Sequence, residues 1–471
     1  MKQVLCFLSM AVFCTFSASA FGQDIGERLN ALENAVKSQA RTIEEQQKTI
    51  DALKEEIARQ RNPEAAQKRP ASEQSDQEPQ QAVQEPPQKA EEESSLSAKV
   101  SGFFGGSVLT NPNISLVLDT FYHASNLNNN ELENRGIPGF TTHGFEQRNG
   151  FNLRAAELFL FAPVDPYFNL YANLPITEDG IELEEAYAVT TSLPEGFQVK
   201  GGKFKSNFSR LDAQHPHAWD FFDIALPYRA FLGDEGLGGE KGVQLTWLPA
   251  LPIYTLFGAE ALQGENDLMF GRDARSGPHA FSLFAKSSFE TSDNSTLYFG
   301  PSVLFGKTRN SNIVTDAEFD GSSALYGLEA VWKWKPARQQ GLTLQSEYLY
   351  LTQNGNLTFL NPDGTVASVD SLRRHQDGFY LQGIYQWQRW RFGARYDMLG
   401  LFSNSFKRAD LQQELGATPW RATGSIEFNP SEFTRIRLQY NHDVSGRDGR
   451  NNDMAILQFL FGIGAHAAHT F

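Results

Sequence analysis

The chain has 471 residues, with 41 Lys and Arg against 56 Asp and Glu for a formal charge of −15, and a mean hydropathy of −0.41. After the first 20 residues no apolar run is long enough to cross a bilayer as a helix, and with this acidic balance no nucleic-acid partner is expected. Neither exclusion reaches a transmembrane β-barrel, in which only every second strand residue needs to be apolar.

Met1-Lys2-Gln3, the apolar stretch Val4 to Phe16 and the small residues Ala18-Ser19-Ala20 read as a secretory signal peptide over residues 1–20, cleaved after Ala20. Both cysteines, Cys6 and Cys14, fall inside it, so the exported chain is expected to carry no disulfide and to depend on a closed ladder of backbone hydrogen bonds. Residues 24–61 carry an unbroken heptad. Leu29, Val36, Ile43, Ile50 and Ile57 stand at a, and Ile25, Leu32, Gln39, Gln46, Leu53 and Gln60 at d. That is a coiled coil of roughly 54 Å at ~1.5 Å per residue, whose glutamines can pair across a symmetry axis and set register or oligomer state. Residues 62–99 are rich in Pro, Gln and Glu and are expected to form a disordered linker.

Residues 100–471 alternate with period two. In Thr434-Arg435-Ile436-Arg437-Leu438-Gln439-Tyr440-Asn441 the apolar and polar residues fall on opposite faces, one suited to lipid and the other to water. Short connections (Ala162–Pro166, Ser192–Glu195, Pro249–Pro252, Thr291–Asn294, Lys335–Gln340, Asn429–Glu432) lie on one side. Long ones (Asn126–Asn149, Ser206–Glu240, Gln263–Pro278, Gly306–Ser322, Gln353–His375, Leu401–Pro419) lie on the other. The fold class is therefore an all-β membrane protein, a sixteen-stranded antiparallel transmembrane β-barrel preceded by a helical coiled coil and a linker. Strands are expected to begin near Ile114, Phe151, Phe168, Glu182, Phe197, Gly242, Ile253, Ala280, Thr296, Leu325, Leu342, Gly378, Trp390, Trp420, Thr434 and Asp453. An even strand count with short periplasmic turns places the coiled coil in the periplasm and the barrel in an outer membrane. The last strand, apolar on one parity to Phe471, resembles the signal by which barrel-assembly machinery recognises its clients.

Water-facing parity on three late neighbouring strands collects Arg389, Arg391, Arg395, Arg421, Arg435 and Arg437 into a basic wall. On the lipid side each would cost about 2–4 kcal/mol at mid-membrane. Asp397, Glu427 and Glu347 are the candidate structural partners of these arginines. The connection Ser206–Glu240, third on the external side when the short link ahead of the strand near Glu182 is counted, is too apolar for a surface loop, with Phe208, Trp219, Phe221, Phe222 and Phe231 among its residues, and is expected to fold into the lumen as a constriction. It brings Arg210, Asp212, Asp220, Asp223, Arg229, Asp234 and Glu235 to face the basic wall, which would set a transverse field. Ahead of it, a bulge at Gly201-Gly202 is expected to turn Lys203 and Lys205 inward together with Lys200.

Leu153-Arg154-Ala155-Ala156-Glu157-Leu158, Glu185-Ala186-Tyr187, Gly202-Lys203-Phe204-Lys205 and Gly242-Val243-Gln244-Leu245 resemble, in order, landmarks of the phosphate-selective porin O and P family. The likeness covers most of residues 100–471. It implies a homotrimeric sixteen-stranded channel, often with a periplasmic coiled coil, and a lysine cluster and arginine ladder at the constriction, here Lys203, Lys205 and the wall from Arg391 to Arg437. The acidic inserted segment points instead to broader passage of small hydrophilic solutes and ions. No enzyme is expected: His442 with Ser445 is the best pair for nucleophilic chemistry, and no nucleophile elbow, zinc motif or phosphate-binding loop appears. His215-Pro216-His217 with Asp212 and Asp220 has no metal-specific spacing, so no metal or other cofactor is expected. The alternative function is an envelope tether, with the barrel as anchor and the coil as spacer.

Overall fold

The computed structural model describes residues 112–464 except 143, 145–147, 315 and 447–448. The expectations for the signal peptide, the coiled-coil residues Leu29, Leu32, Val36, Ile43, Ile50, Leu53 and Ile57, the linker and Phe471 lie outside the described residues.

Sixteen strands form the wall: β1 Asn113–Ser125, β2 Gly150–Asp165, β3 Phe168–Thr177, β4 Glu185–Thr190, β5 Phe197–Lys205, β6 Gly239–Trp247, β7 Tyr254–Leu262, β8 Ala280–Ser292, β9 Ser295–Asn310, β10 Ala317–Ala337, β11 Gln340–Leu360, β12 Val366–Trp387, β13 Trp390–Arg408, β14 Trp420–Ser431, β15 Thr434–Asp443 and β16 Asn452–Gly464. Two-residue ladders at Gly180–Ile181 and Leu411–Gln412 prolong the hairpins beside β3 and β13. Each strand pairs antiparallel with the next, and β1 closes the ring by pairing with both β2 and β16. Closure leaves no sheet edge, so the strands satisfy their backbone groups within the ring.

The alternation that identifies the strands sorts their faces. Along β13, Trp390, Phe392 and Tyr396 point out while Arg391, Arg395 and Asp397 point in; along β14, Ile426 points out while Arg421 and Glu427 are buried inside. Six of the expected strand starts coincide with the observed ones, at Phe168, Phe197, Ala280, Trp390, Trp420 and Thr434.

The main corrections lie on the long-connection side. Gly306–Ser322, Gln353–His375 and Leu401–Pro419 are largely strand: Thr308 pairs with Gly321, Asn356 with Ser371 and Lys407 with Gln412. Strands β10 and β12 accordingly begin at Ala317 and Val366, well before Leu325 and Gly378. Strands β10 to β12, of 21, 21 and 22 residues, would span about 70 Å at ~3.3 Å per residue, far beyond a crossing of about 10 residues. Their outer ends, rich in Gly, Ser, Asn and Asp, form ribbons held by backbone pairing and have no lipid to face, so the apolar alternation that marks a membrane strand stops short of them. By contrast β4 has 6 residues and β5 to β7 have 9 each, making that arc of wall low.

Candidate functional site

The connection 206–238 between β5 and β6 folds into the lumen as expected. It contains a 3-10 turn at Pro216–Ala218 and one helix, α1, at Leu226–Phe231, every residue of which is buried. Asp212 ties its two arms together, accepting from Ser209 Oγ at 2.6 Å and from the Leu237 amide at 2.8 Å. Gly236 permits that closure, since its φ is +69° and a Cβ there would lie 2.2 Å from Asp212 Oδ1.

One face of the segment is apolar. Phe208, Leu211, Trp219, Ile224, Leu226, Tyr228, Phe231 and Leu232 form a continuous cluster with Leu262, Leu304, Leu325, Leu349, Leu351 and Leu399, inward-facing residues toward the long-connection ends of their strands. Glycines in the wall make room for it: a Cβ at Gly327 would come within 3.3 Å of Phe208, and one at Gly393 within 3.1 Å of Phe221.

The other face is held by guanidinium groups. Arg435 donates to the carbonyl of His217, Arg437 to Trp219, Arg154 to Phe222, Arg395 to Asp223 and Arg421 to Ile224, at 2.6–2.9 Å. The arginines thus satisfy backbone acceptors that an irregular segment cannot pair within itself. Carboxylates complete the arrangement. Asp220 meets Arg391 at 2.5 Å; Asp223 meets Arg421 at 2.5 Å and Arg395 at 3.0 Å and also accepts from Gln439 and Asn441. From the wall itself, Asp397 pairs with Arg395 and Arg421, and Glu427 with Arg391, Arg435 and Arg437. Burial works against charge on Asp223, but Arg421 and Arg395 outweigh it and hold its pKa at about 2.

These contacts correct the transverse-field expectation. Asp220 and Asp223 do not face the basic wall across water but bind it directly, because charges withdrawn from solvent must be paired. Glu347 partners no wall arginine side chain; it accepts from Tyr228 and Tyr380 hydroxyls and from the Arg210 amide. Arg389 is not in the wall at all, being exposed in the turn between β12 and β13. The expected bulge at Gly201-Gly202 is also absent: the ladders of β5 with β4 and β6 run without a register shift. Strict alternation therefore turns Lys200 inward, with Nζ 5.1 Å from the Tyr187 and Phe204 ring centres, while Lys203 stands on the outward parity and curls back to the Leu183 carbonyl and Glu182. Lys205 is buried and meets Glu184 at 2.9 Å.

Of the remaining constriction residues, Arg210 donates to Gln345, Arg229 pairs with Asp234 at 2.8 Å, and Glu235 is exposed. At the short-turn end lies a cavity of roughly 830 Å³, bordered by Arg210, Asp220, Lys333, Lys335, Arg391 and Arg435. His442 and Ser445 do not meet; they engage Asp453 and Asp443 respectively.

Sequence reasoning overlooked a second cluster, where the segment meets β2 to β4. His215 and His217 turn away from Asp212 and Asp220 toward Glu157, Glu184 and Glu185. Burial opposes charge on His215, yet Glu184 and Glu185 outweigh it and push its pKa up to about 10. The signal available was parity: Glu157, Asn173 and Glu185 fall on the water-facing side of three successive strands.

No protein-family model matches the chain. Among solved structures, it is similar to the outer membrane channel DcaP of Acinetobacter baumannii (14% identity, 75% of this chain and 97% of that one, TM-score 0.46). It is also similar to an anion-selective porin from Comamonas acidovorans (8% identity, 75% of this chain and 100% of that one, TM-score 0.47). In sequence it is 42% identical over 388 residues to an uncharacterized protein of Aquifex aeolicus strain VF5, covering 76% of this chain and 80% of that protein. At that identity and coverage the chain belongs to the same family as the Aquifex aeolicus protein.

Proposed function

We propose that the protein is an outer-membrane porin, a channel for passive diffusion of small hydrophilic solutes and ions, with anions such as phosphate among them. The observation that carries this reading is the polarity of the closed wall: apolar residues face out, and charged and amide side chains line the interior down to a cavity of roughly 830 Å³. Arg210, Lys333, Lys335, Arg391 and Arg435 border that cavity with two carboxylates, Asp220 and Glu432, an excess of positive charge that favours anions at this mouth. The likeness of the four sequence landmarks to the phosphate-selective porin O and P family agrees with that sign. A homotrimer is the assembly we infer, with the coiled coil in the periplasm and the C-terminal strand as the assembly signal.

The channel reading is tested by reconstituting the purified trimer into planar bilayers. Stepwise ion current is expected, with a reversal potential displaced toward anions across a salt gradient. A second reading, an envelope tether using the barrel as anchor, is favoured by the apolar cluster with which the segment occupies the outer half of the lumen. Protein that inserts but passes no current would replace the first reading by the second.

A further inference from the structure

The cluster between the inserted segment and strands β2 to β4 has a geometry of its own. Glu157 Oε2, Glu184 Oε2 and His215 Nδ1 converge, with His215 Nδ1 3.1 Å from Glu184 Oε2 and 4.0 Å from Glu157 Oε2. The side-chain amide of Asn173 sits among them, its Nδ2 at 2.9 Å from Glu184 Oε2, 3.3 Å from Glu157 Oε2 and 3.1 Å from His215 Nδ1. An NH₂ group has two hydrogens, so it cannot serve three partners at once, and against a protonated His215 Nδ1 it would oppose donor to donor. Rotating the amide by half a turn places Oδ1 at the same point, a change of assignment that costs no movement of the chain.

With Oδ1 inward, four donor atoms stand about one point. A zinc-type ion with bonds of about 2.0–2.2 Å in a tetrahedron has its ligands about 3.3–3.6 Å apart. The separations here, 2.9, 3.1, 3.1, 3.3 and 4.0 Å, bracket that spacing. The charge fits as well, since two carboxylates, one carbonyl oxygen and one neutral imidazole balance a divalent cation. Four donors including an imidazole suit the zinc class rather than calcium or magnesium, which take six or more oxygens or retain water.

An outer layer orients each charged or imidazole ligand. His215 Nε2 lies 2.8 Å from Glu185 Oε2, the carboxylate–histidine pairing that fixes the tautomer and strengthens the other ring nitrogen as a ligand. Lys205 Nζ holds the second oxygen of Glu184 at 2.9 Å, and His217 Nδ1 lies 2.8 Å from Glu157 Oε2, the ligating oxygen itself, which it would share with the ion. We propose that Glu157, Glu184, His215 and the rotated Asn173 form a tetrahedral site for a divalent transition-metal ion of the zinc type, which fastens the inserted segment to the wall of β2 to β4.

The test uses the full, untagged, folded protein in detergent, stripped with chelator and titrated with zinc while bound metal is counted. One ion per chain is expected, and its replacement by Co²⁺ should give the visible absorption of a four-coordinate centre. His215→Ala and the isosteric Glu184→Gln should weaken zinc binding by ~100-fold or more, and Glu185→Gln, one step removed, by roughly 10- to 100-fold. His279→Ala, in another external connection, should leave it unchanged. Asn173→Asp separates the site from a purely structural amide: a ligand position keeps or gains affinity with a carboxylate, whereas an amide hub is disrupted by it. The proposal falls if the stripped protein takes up no zinc, if His215→Ala binds it undiminished, or if Asn173→Asp loses it. Should the ligand variants not fold, the cobalt spectrum of the unaltered protein decides, a six-coordinate or featureless spectrum counting against the site.

Discussion

The two faces of the inserted segment are held by different physics. On the apolar face, aromatic and aliphatic side chains fill the space between inward-facing leucines, a contact that rewards area and tolerates small shifts. On the other, five guanidinium groups each reach a particular carbonyl between His217 and Ile224, and Asp220 and Asp223 lock to them. Such contacts add little net stability once the cost of desolvating the charges is counted, but they permit one position. The comparison teaches a division of labour: burial keeps the segment in the lumen, and the charges decide where in the lumen it lies.

The largest effects should come from breaking each face at its centre. Asp223→Ala leaves the buried Arg395 and Arg421 to the single carboxylate Asp397, and is expected to destabilise the folded barrel by about 3–5 kcal/mol. Phe208→Ala, fully buried against Gly327, should cost a similar amount, about 3–5 kcal/mol, by opening a cavity. The two differ in a second measurement. Cysteine labelling along 215–224 should rise in Asp223→Ala, where the backbone loses its register, and stay low in Phe208→Ala, where the arginine contacts persist. Equal labelling in both would show that the charges do not set position.

Acid attacks the charged face at Asp223. With its pKa held at about 2, Asp223 contributes stability that is fully present above the ordinary aspartate value near 4 and is lost as pH falls through about 2. The loss is on the order of 2 kcal/mol. Arg395, Arg421, Gln439 and Asn441 hold Asp223 through its two oxygens. The part of segment accessibility that Asp223 controls, read as the difference from Asp223→Asn, should therefore be flat from pH 7 to 4 and change only near 2; release already at pH 5 would assign the hold to other groups.

How much of this was legible in the sequence divides along the same line. Strand parity placed Arg391, Arg395, Arg421, Arg435 and Arg437 inside because an unpaired charge cannot face lipid, and the apolar content of 206–238 placed that segment in the lumen. Parity says nothing of distance, so Asp220 and Asp223 were read as opposing the arginines rather than bound to them. It failed at Lys203, where the expected bulge is a regular ladder that turns only Lys200 of the pair inward, and at Arg389, one residue outside the strand. The Glu157, Glu184 and His215 cluster joins β2 and the approach to β4 to a connection; parity marks Glu157, Asn173 and Glu185 as inward, but no local pattern announces that His215 meets them.

Selectivity should respond more modestly, and it refines which arginines belong to a passage. Arg391 and Arg435 border the cavity and keep about a quarter and a fifth of their side-chain surface (24% and 20%), whereas Arg437 retains 1% and spends its donors on Glu427, Gln458 and the Trp219 carbonyl. Replacing Arg391 and Arg435 by Ala should move the reversal potential toward cations, while Arg437→Ala should lower stability and leave the potential nearly unchanged. An equal displacement by Arg437→Ala would mean that the passage runs behind the segment rather than through the cavity.

The smallest effect should come from Arg389, which the basic wall was expected to include. Its side chain is exposed in the turn before Trp390, beyond the inward parity of β13, and only its backbone is engaged, the carbonyl accepting from the Asn429 amide. A charge so placed is screened by salt over about 8 Å at physiological ionic strength, so it acts weakly on ions inside the barrel. Arg389→Ala should change stability by less than about 0.5 kcal/mol, as ordinary surface substitutions do. Its reversal potential should match that of the unaltered protein at physiological salt. A displacement there approaching that of Arg391→Ala would show that the field at the short-turn mouth is set by its rim, and the distinction between buried arginines that position the segment and exposed ones that meet solutes would have to be redrawn.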